Sequence, residues 1–273
     1  MIFVIAAAGV LGLCLGSFFN VLIYRLPLEQ SIVSPGSRCP GCGRAIRAWE
    51  NIPVLSFILL RGRCAGCGVA ISWRYPLVEL LTGAGFALLA WADLPAGTVI
   101  PHDGIAFFPP GALAALLRDL VFFSFLVPIV FIDIDHRIIP DEFSLGGLAA
   151  GLALSFLPAG GTGLPGWEGS FGGGLLGGGI LYATAWGYER ATSREGMGGG
   201  DIKLIAMIGA FIGWRGALLT IFGASIAGVA GGMIAMRKGE EGLKTAIPFG
   251  PYLCLAALVS RYAGEAFWSF LLR

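Results

Sequence analysis

The sequence predicts an all-α, polytopic membrane helix bundle of about eight spans, with a small cytoplasmic zinc-binding loop domain. Three observations carry that prediction: a very apolar composition, apolar stretches that recur near the length of a bilayer crossing, and one polar segment holding two cysteine pairs. Apolar residues make up 56% of the 273 positions and charged residues only 13%, where a soluble globular domain has roughly a quarter charged. Mean hydropathy is +0.81. Glycine fills 44 positions. Disordered chains are also glycine-rich but never this hydrophobic, whereas small residues that let membrane helices approach closely fit well. The net charge of +1 lacks the basic footprint of a nucleic-acid binder, so no nucleic-acid partner is expected. The lipid bilayer is.

The first span is Ile2–Tyr24. Residues 1–24 carry no charge, and the first basic residue, Arg25, follows the apolar run. A secretory signal has its positive charge ahead of a shorter apolar core, so this segment is expected to be a retained helix that enters with its N-terminus outside. Further spans are expected at 76–92, 112–132, 142–158, 170–188, 201–214, 216–236 and 248–264, since a crossing takes about 20 apolar residues. This arrangement turns 25–75, 133–141, 189–200 and 237–247 to the cytoplasm. Fourteen of the 18 Lys and Arg residues then fall there, counting Lys203 just inside the next helix; Arg118, Arg215, Arg261 and Arg273 fall on the other side. That asymmetry obeys the positive-inside rule.

The span at 201–214 is short, because its charge-free part runs only from Leu204 to Trp214. It is expected to start in a recess, since backbone at that depth needs protein or a water-filled cavity around it. The Pro- and Gly-rich stretches Asp93–Gly111 and Leu157–Gly169 read as outer connectors. No internal repeat is expected.

The polar segment contains Cys39-Pro40-Gly41-Cys42 and, after 21 residues, Cys64-Ala65-Gly66-Cys67. Two such knuckles at this spacing are a zinc signature. A cytoplasmic loop is kept reduced, which disfavours disulfides. Four thiolates close the coordination shell and leave no position for a reacting water, so the expected zinc is structural, folding a loop too small to have its own core. Cys14 and Cys254 lie in apolar spans, where thiols usually pack.

Carboxylates in or beside spanning helices are functional candidates by default. Three regions qualify: Asp133-Ile134-Asp135-His136-Arg137-Ile138-Ile139-Pro140-Asp141 at the cytoplasmic end of the third span, Gly198-Gly199-Gly200-Asp201 opening the sixth, and Glu79 near the cytoplasmic end of the second. Asp133 and Asp201 can meet at the cytoplasmic face. Two facing carboxylates share a proton, so that one acts as base on a water and the other donates to a peptide carbonyl, as in aspartic proteases. Glycines before Asp201 would admit a substrate backbone. A transporter's proton pathway wants the same buried carboxylates, and an Asp at a helix start is a common cap. Asp135 and Asp141 are equally open to solvent contact or to pairing with Arg137 or Lys203. Residues two apart do not share a helix face, so Asp133 and Asp135 do different work. His136 reads as a polar neighbour rather than a metal ligand.

Several segments, in order, resemble the bacterial type IV prepilin peptidases, the G-x-G-D aspartyl proteases that also act as N-methyltransferases. They are Gly16–Pro27, Ser37–Pro40 opening the cysteine loop, Glu50–Ser56, Arg74–Glu79, Asp133–Asp141, Glu195–Leu204 and Ile247–Tyr252. The resemblance implies an enzyme that removes the leader from type IV prepilins and from type II secretion pseudopilins, working with the pilus or secretion assembly machinery. It implies a multi-pass protein of the bacterial inner membrane, N-terminus periplasmic and active site facing the cytoplasm. The catalytic pair becomes Asp133 and Asp201, with Asp135, Asp141, Gly198, Gly200, Lys203 and Glu79 in support. Methyl transfer from S-adenosylmethionine to the new N-terminus is implied likewise. The chain has no strand–G-x-G-x-x-G–helix fingerprint for that cofactor, and the cytoplasmic loop with Glu50 and Asn51 is its expected place. Read from the residues alone, Glu50 and Asn51 are a solvated cap, and Ser17 and Asn20 are interhelical hydrogen-bonding groups. The expected organisation is a first transmembrane helix at 1–26, the zinc-binding loop with the methyltransferase function at 27–75, and the transmembrane peptidase at 76–273.

Overall fold

The computed structural model describes residues 1–94, 100–102, 105–158, 161–193, 196–237 and 248–272. Expectations that fall on Arg194, Glu195, Ile247, Arg273 and the basic stretch around Lys238 and Lys244 lie outside the described residues. Helices carry the architecture: α1 (Ile2–Arg25), α2 (Leu55–Leu59), α3 (Arg74–Asp93), α4 (Pro110–His136), α5 (Asp141–Leu154), α6 (Trp167–Thr192), α7 (Gly199–Arg237) and α8 (Gly250–Leu271). The Pro- and Gly-rich stretch before α4 contains a short antiparallel hairpin, β1 (Ile100–His102) with β2 (Ile105–Phe107). Among the described residues, four helical stretches are long and apolar enough to cross a bilayer: Ile2–Leu28, Arg74–Asp93, Pro110–His136 and Gly199–Ile234.

Each apolar stretch of the sequence is helical. The short stretch 201–214 and its neighbour 216–236 fall in one element, α7, which breaks at Gly213 (φ 75°, ψ 177°). A positive φ with extended ψ is open to glycine and costly for other residues. The break divides α7 into a leg of about 20 Å before it, at 1.5 Å per residue, and a longer leg after it.

The chain forms two compact units, Met1–Pro109 and Pro110–Arg273. In the first, α1 packs on α3 along small residues. A Cβ on Gly16 would lie 2.7 Å from the Cα of Glu79, so the two backbones touch, as membrane helices do through glycine. The opposite face of α1 is bare, with Ile2 and Phe3 85% and 86% exposed. Large apolar side chains turned outward in this way suit lipid rather than water.

In the second unit α6 meets α7 backbone to backbone: a Cβ on Gly173 would collide with the carbonyl of Gly209, and one on Gly209 with that of Gly173. Ile129, Ile132, Leu204, Ile205, Met207 and Ile208 form a core with no exposure, and Phe122 stacks on Phe211 at 4.7 Å between ring centres. Arg118, counted from sequence among the outer-face cations, is instead wholly buried. Its guanidinium donates to Pro165 O (2.8 Å), Ser170 Oγ (3.4 Å) and Phe211 O (3.2 Å). Phe211 sits two residues before the α7 break, where the helix loses its own i+4 donors, so a buried cation with several N–H groups replaces them. Arg261, counted the same way, is paired with buried Asp119 at 2.8 Å.

Candidate active site

Asp133 lies at the end of the buried stripe of α4. Ile129, Ile132 and Asp133 stand at i, i+3 and i+4 and share one face. Asp133 is 5% exposed, whereas Asp135 points outward. Sequence period alone left the two aspartates undivided; burial divides them. The Asp133 Oδ2 accepts the backbone N–H of Gly250 at 2.9 Å, the first residue of α8. Gly250 belongs to the late block read from sequence, but no role was assigned to it there. A Cβ at that position would stand 2.7 Å from the same oxygen, so a side chain there would block the contact.

Asp201 is half-buried in the first turn of α7, three residues before fully buried Leu204. Its N–H donates to Gly198 O at 3.1 Å, closing the glycine turn that delivers it. Asp201 lies within electrostatic reach of Asp133, and buried Cys254, one turn into α8, lies within reach of both. Three elements that are far apart in sequence thus converge at one end of the second unit. A Cβ on Gly200 would come within 3.0 Å of Ile139, which brings the glycine turn onto the segment after α4. Lys203 and Asp141 form an exposed ion pair at 2.7 Å, one of the pairings left open from sequence.

Glu79 sits in the first unit, 8% exposed. It accepts the N–H of Val54 at 2.7 Å and the hydroxyl of Ser17. Asn20 is also buried and donates to Gly16 O and Tyr75 O, at 3.2 and 3.1 Å, the interhelical bonding expected of it. Ser17, Asn20, Glu50, Asn51, Tyr75 and Glu79 share the lining of one cavity of about 400 Å³, within the usual range for small-molecule sites. Glu50 accepts from Arg44 Nη2 at 3.0 and 2.9 Å and from the Arg47 N–H at 3.0 Å. The Arg47 N–H and then the Arg44 cation hold its carboxyl below the ordinary carboxylate range. Glu50 is therefore buried and charge-balanced rather than solvated, and it does cap, taking the Arg47 N–H that opens its own short turn.

The four sulfurs of Cys39, Cys42, Cys64 and Cys67 lie within 4.8 Å of one another. Cys39 Sγ and Cys67 Sγ stand 3.8 Å apart, and a tetrahedron with metal–sulfur bonds of about 2.3 Å has edges of ~3.8 Å. The donor set therefore fits a tetrahedral ion. The Cys67 and Gly66 N–H groups bring the Cys64 thiol down to about 6, so one thiolate is supplied near neutrality. Against the opposing Val69 N–H, burial and the neighbouring thiols push Cys67 up to about 11.

The knuckles also correct the expectation that the chain has no internal repeat. Ser37–Ile46 and Gly62–Ile71 fold alike, 25 residues apart in register. Cys39 N–H to Arg44 O matches Cys64 N–H to Val69 O. Gly43 N–H to Cys39 O matches Gly68 N–H to Cys64 O, and Ile46 N–H to Ser37 O matches Ile71 N–H to Gly62 O. Gly43 and Gly68 share φ 71°. Two copies of one turn, each offering two thiols, make the four-sulfur cluster.

The family profile described as the Bacterial Peptidase A24 N-terminal domain matches residues 10–92, and that of the Type IV leader peptidase family matches 120–233. Among curated relatives, a "Prepilin leader peptidase/N-methyltransferase" of Myxococcus xanthus is 43% identical over 86% of this chain; the match spans 64% of that protein's length. Proteins of the same name from Stutzerimonas stutzeri and Pseudomonas aeruginosa are 38% and 36% identical, over 96% and 93% of this chain and 91% and 89% of theirs. No solved structure matches significantly.

Proposed function

The chain belongs to the bacterial prepilin leader peptidase/N-methyltransferase family, and from that premise we propose how its residues divide the two activities. It is a bifunctional membrane enzyme: an endopeptidase that removes the leader of prepilins, and an N-methyltransferase acting on the amino terminus so made. The peptidase reading rests on one observation, the buried Asp133 carboxylate aimed at the amino end of α8 with Asp201 in electrostatic reach. Asp133 and Asp201 are the catalytic pair. One carboxylate takes a proton from the attacking water while the other donates to the carbonyl of the scissile bond.

Gly198 leaves room beside Asp201 for an extended backbone, and Gly200 lets the turn close on Ile139. Asp141 and Lys203 brace the segment after α4 against α7, and Asp135 offers charge at the mouth. Pseudopilins of type II secretion are further substrates, and the pilus or secretion assembly machinery is the neighbouring complex. Eight helical segments cross the inner membrane with the N-terminus in the periplasm and the aspartates toward the cytoplasm. The distribution of basic residues supports that orientation.

Residues 1–26 anchor the chain, 27–75 carry methyl transfer and metal, and 76–273 carry the peptidase, with α3 also closing the cavity of the first unit. Cys39, Cys42, Cys64 and Cys67 hold structural zinc. S-adenosylmethionine supplies the methyl group when bound, and the cavity edge at Glu50 and Asn51 is its place. Asp133→Asn and Asp201→Asn test the pair: each, as purified protein in detergent with a purified prepilin, is expected to cut at least about a hundredfold more slowly. Cleavage by either variant at the normal rate would refute the assignment.

A further inference from the structure

Two carboxylates line the cavity of the first unit, and only one is balanced. Glu50 has the Arg44 guanidinium and the Arg47 N–H. Glu79 has two neutral donors, the Val54 N–H at 2.7 Å and the Ser17 hydroxyl, and among the described residues no cation pairs with it. A carboxylate buried in a helix wall and held only by neutral groups is open to a cation or a proton from a ligand. The group is also held with some effort. Val54 is β-branched and stands at φ 61°, a conformation such residues rarely adopt, and its N–H is the one that fixes the carboxylate.

Leader removal creates a terminal amine, which is a cation in water, and methylation needs that nitrogen to lose a proton. We propose that Glu79 is the residue that receives this amine and accepts its proton. The proposal deepens the methyl-transfer reading above and rests on it. The ammonium first passes one proton to the Glu79 carboxylate. The lone pair so freed would form the new N–C bond as the bond between sulfur and the methyl carbon breaks with its electron pair left on sulfur, and the product nitrogen keeps its two protons as a secondary ammonium. Ser17 and Val54 hold that carboxylate toward the cavity, where Asn20 and Tyr75 lie beside it. Glu50, already neutralised, stays at the loop side.

Glu79→Gln tests this in the full-length protein, because the amide oxygen still accepts from Val54 and Ser17 while the charge and the proton acceptor are gone. A pilin whose leader has already been removed, given with labelled S-adenosylmethionine, reports methyl transfer alone. Methyl incorporation is expected to fall by at least about a hundredfold, with equilibrium binding of S-adenosylmethionine unchanged. Without any methyl donor, the unmodified protein is expected to bind a peptide with a free amino terminus about tenfold more tightly than its N-acetyl counterpart, and Glu79→Gln to lose that preference. Glu79→Asp, which keeps the charge but withdraws it by one methylene, is expected to lower kcat for methyl transfer and leave the donor's KM unchanged.

Normal methylation by Glu79→Gln overturns the proposal. So does loss of S-adenosylmethionine binding, which would place the carboxylate against the donor instead. Loss of cleavage and methylation together, with a lowered melting temperature, would make Glu79 a structural brace and overturns it as well. If the unmodified protein cuts prepilin but never methylates it, the parent reading falls too, an outcome distinct from the failure of Glu79 alone.

Discussion

Asp133 and Asp135 are two residues apart and chemically identical, and what separates them is the company of their helix face. Asp133 continues the Ile129–Ile132 stripe and meets Gly250, 117 residues away in sequence; Asp135 faces outward. The candidate aspartates were legible because an acid in an apolar run is conspicuous. Gly250 was not legible, because its contribution is a backbone N–H and the absence of a Cβ, and neither leaves a mark until its partner is known. Gly250→Ala puts a methyl 2.7 Å from the Asp133 Oδ2 and must push the carboxylate aside. Displacement of a catalytic group by about 1 Å can cost on the order of a hundredfold in rate. Leader cleavage by Gly250→Ala is expected to fall by about that factor, while methylation of an already cut pilin is retained; comparing the two rates on one preparation checks it.

At the scale of elements, the cysteine turns were the most readable part of the chain. Paired cysteines at a fixed spacing leave few structural options, although the ten-residue repeat around them went unread. The two copies agree at seven of ten positions, from Arg38 and Arg63 to Ile46 and Ile71, so the register stood in the sequence, and the matching hydrogen bonds show that it is one turn built twice. The Cys64 thiol, at about 6 in place of 9.0, is a depressed acid, so its stabilisation of the metal-free loop is full above 9 and is lost as pH falls through 6. Cys67, raised to about 11, works in the opposite sense: its contribution is full below 9 and is lost as pH rises through 11. A bound metal needs both as thiolates. Zinc added to chelator-stripped protein at about pH 8 is therefore expected to release the Cys67 proton but not one from Cys64, so fewer than four protons per ion. Proton release in weak buffer with an indicator dye measures this. Four protons per ion would show that no thiolate is supplied in advance.

For the whole molecule, the match of one family profile to residues 10–92 and of another to 120–233 follows the division into two compact units. The apolar stretches were legible as helices because lipid demands runs of a set length, but their number was not: two of them share α7, and among the described residues four are long and apolar enough to cross. The buried Arg118 and the Asp119–Arg261 pair were not, since a charge within an apolar run looks like a loop boundary until its acceptors are seen. The division into units has a functional consequence. The aspartates belong to the second unit and the sulfur cluster and cavity to the first, so the two activities should fail independently. Asp133→Asn is expected to methylate a pre-cut pilin at the normal rate while cutting none. Replacement of Cys64 and Cys67 by Ser is expected to abolish metal binding and methylation while leaving leader removal within about threefold, because structural metal stabilises the fold of its own loop. Metal content per chain, cleavage on gels and methyl incorporation, measured on the same two preparations, test this directly. Loss of cleavage in the cysteine variant at an unchanged melting temperature would mean that the first unit takes part in proteolysis, and the division of labour would have to be redrawn.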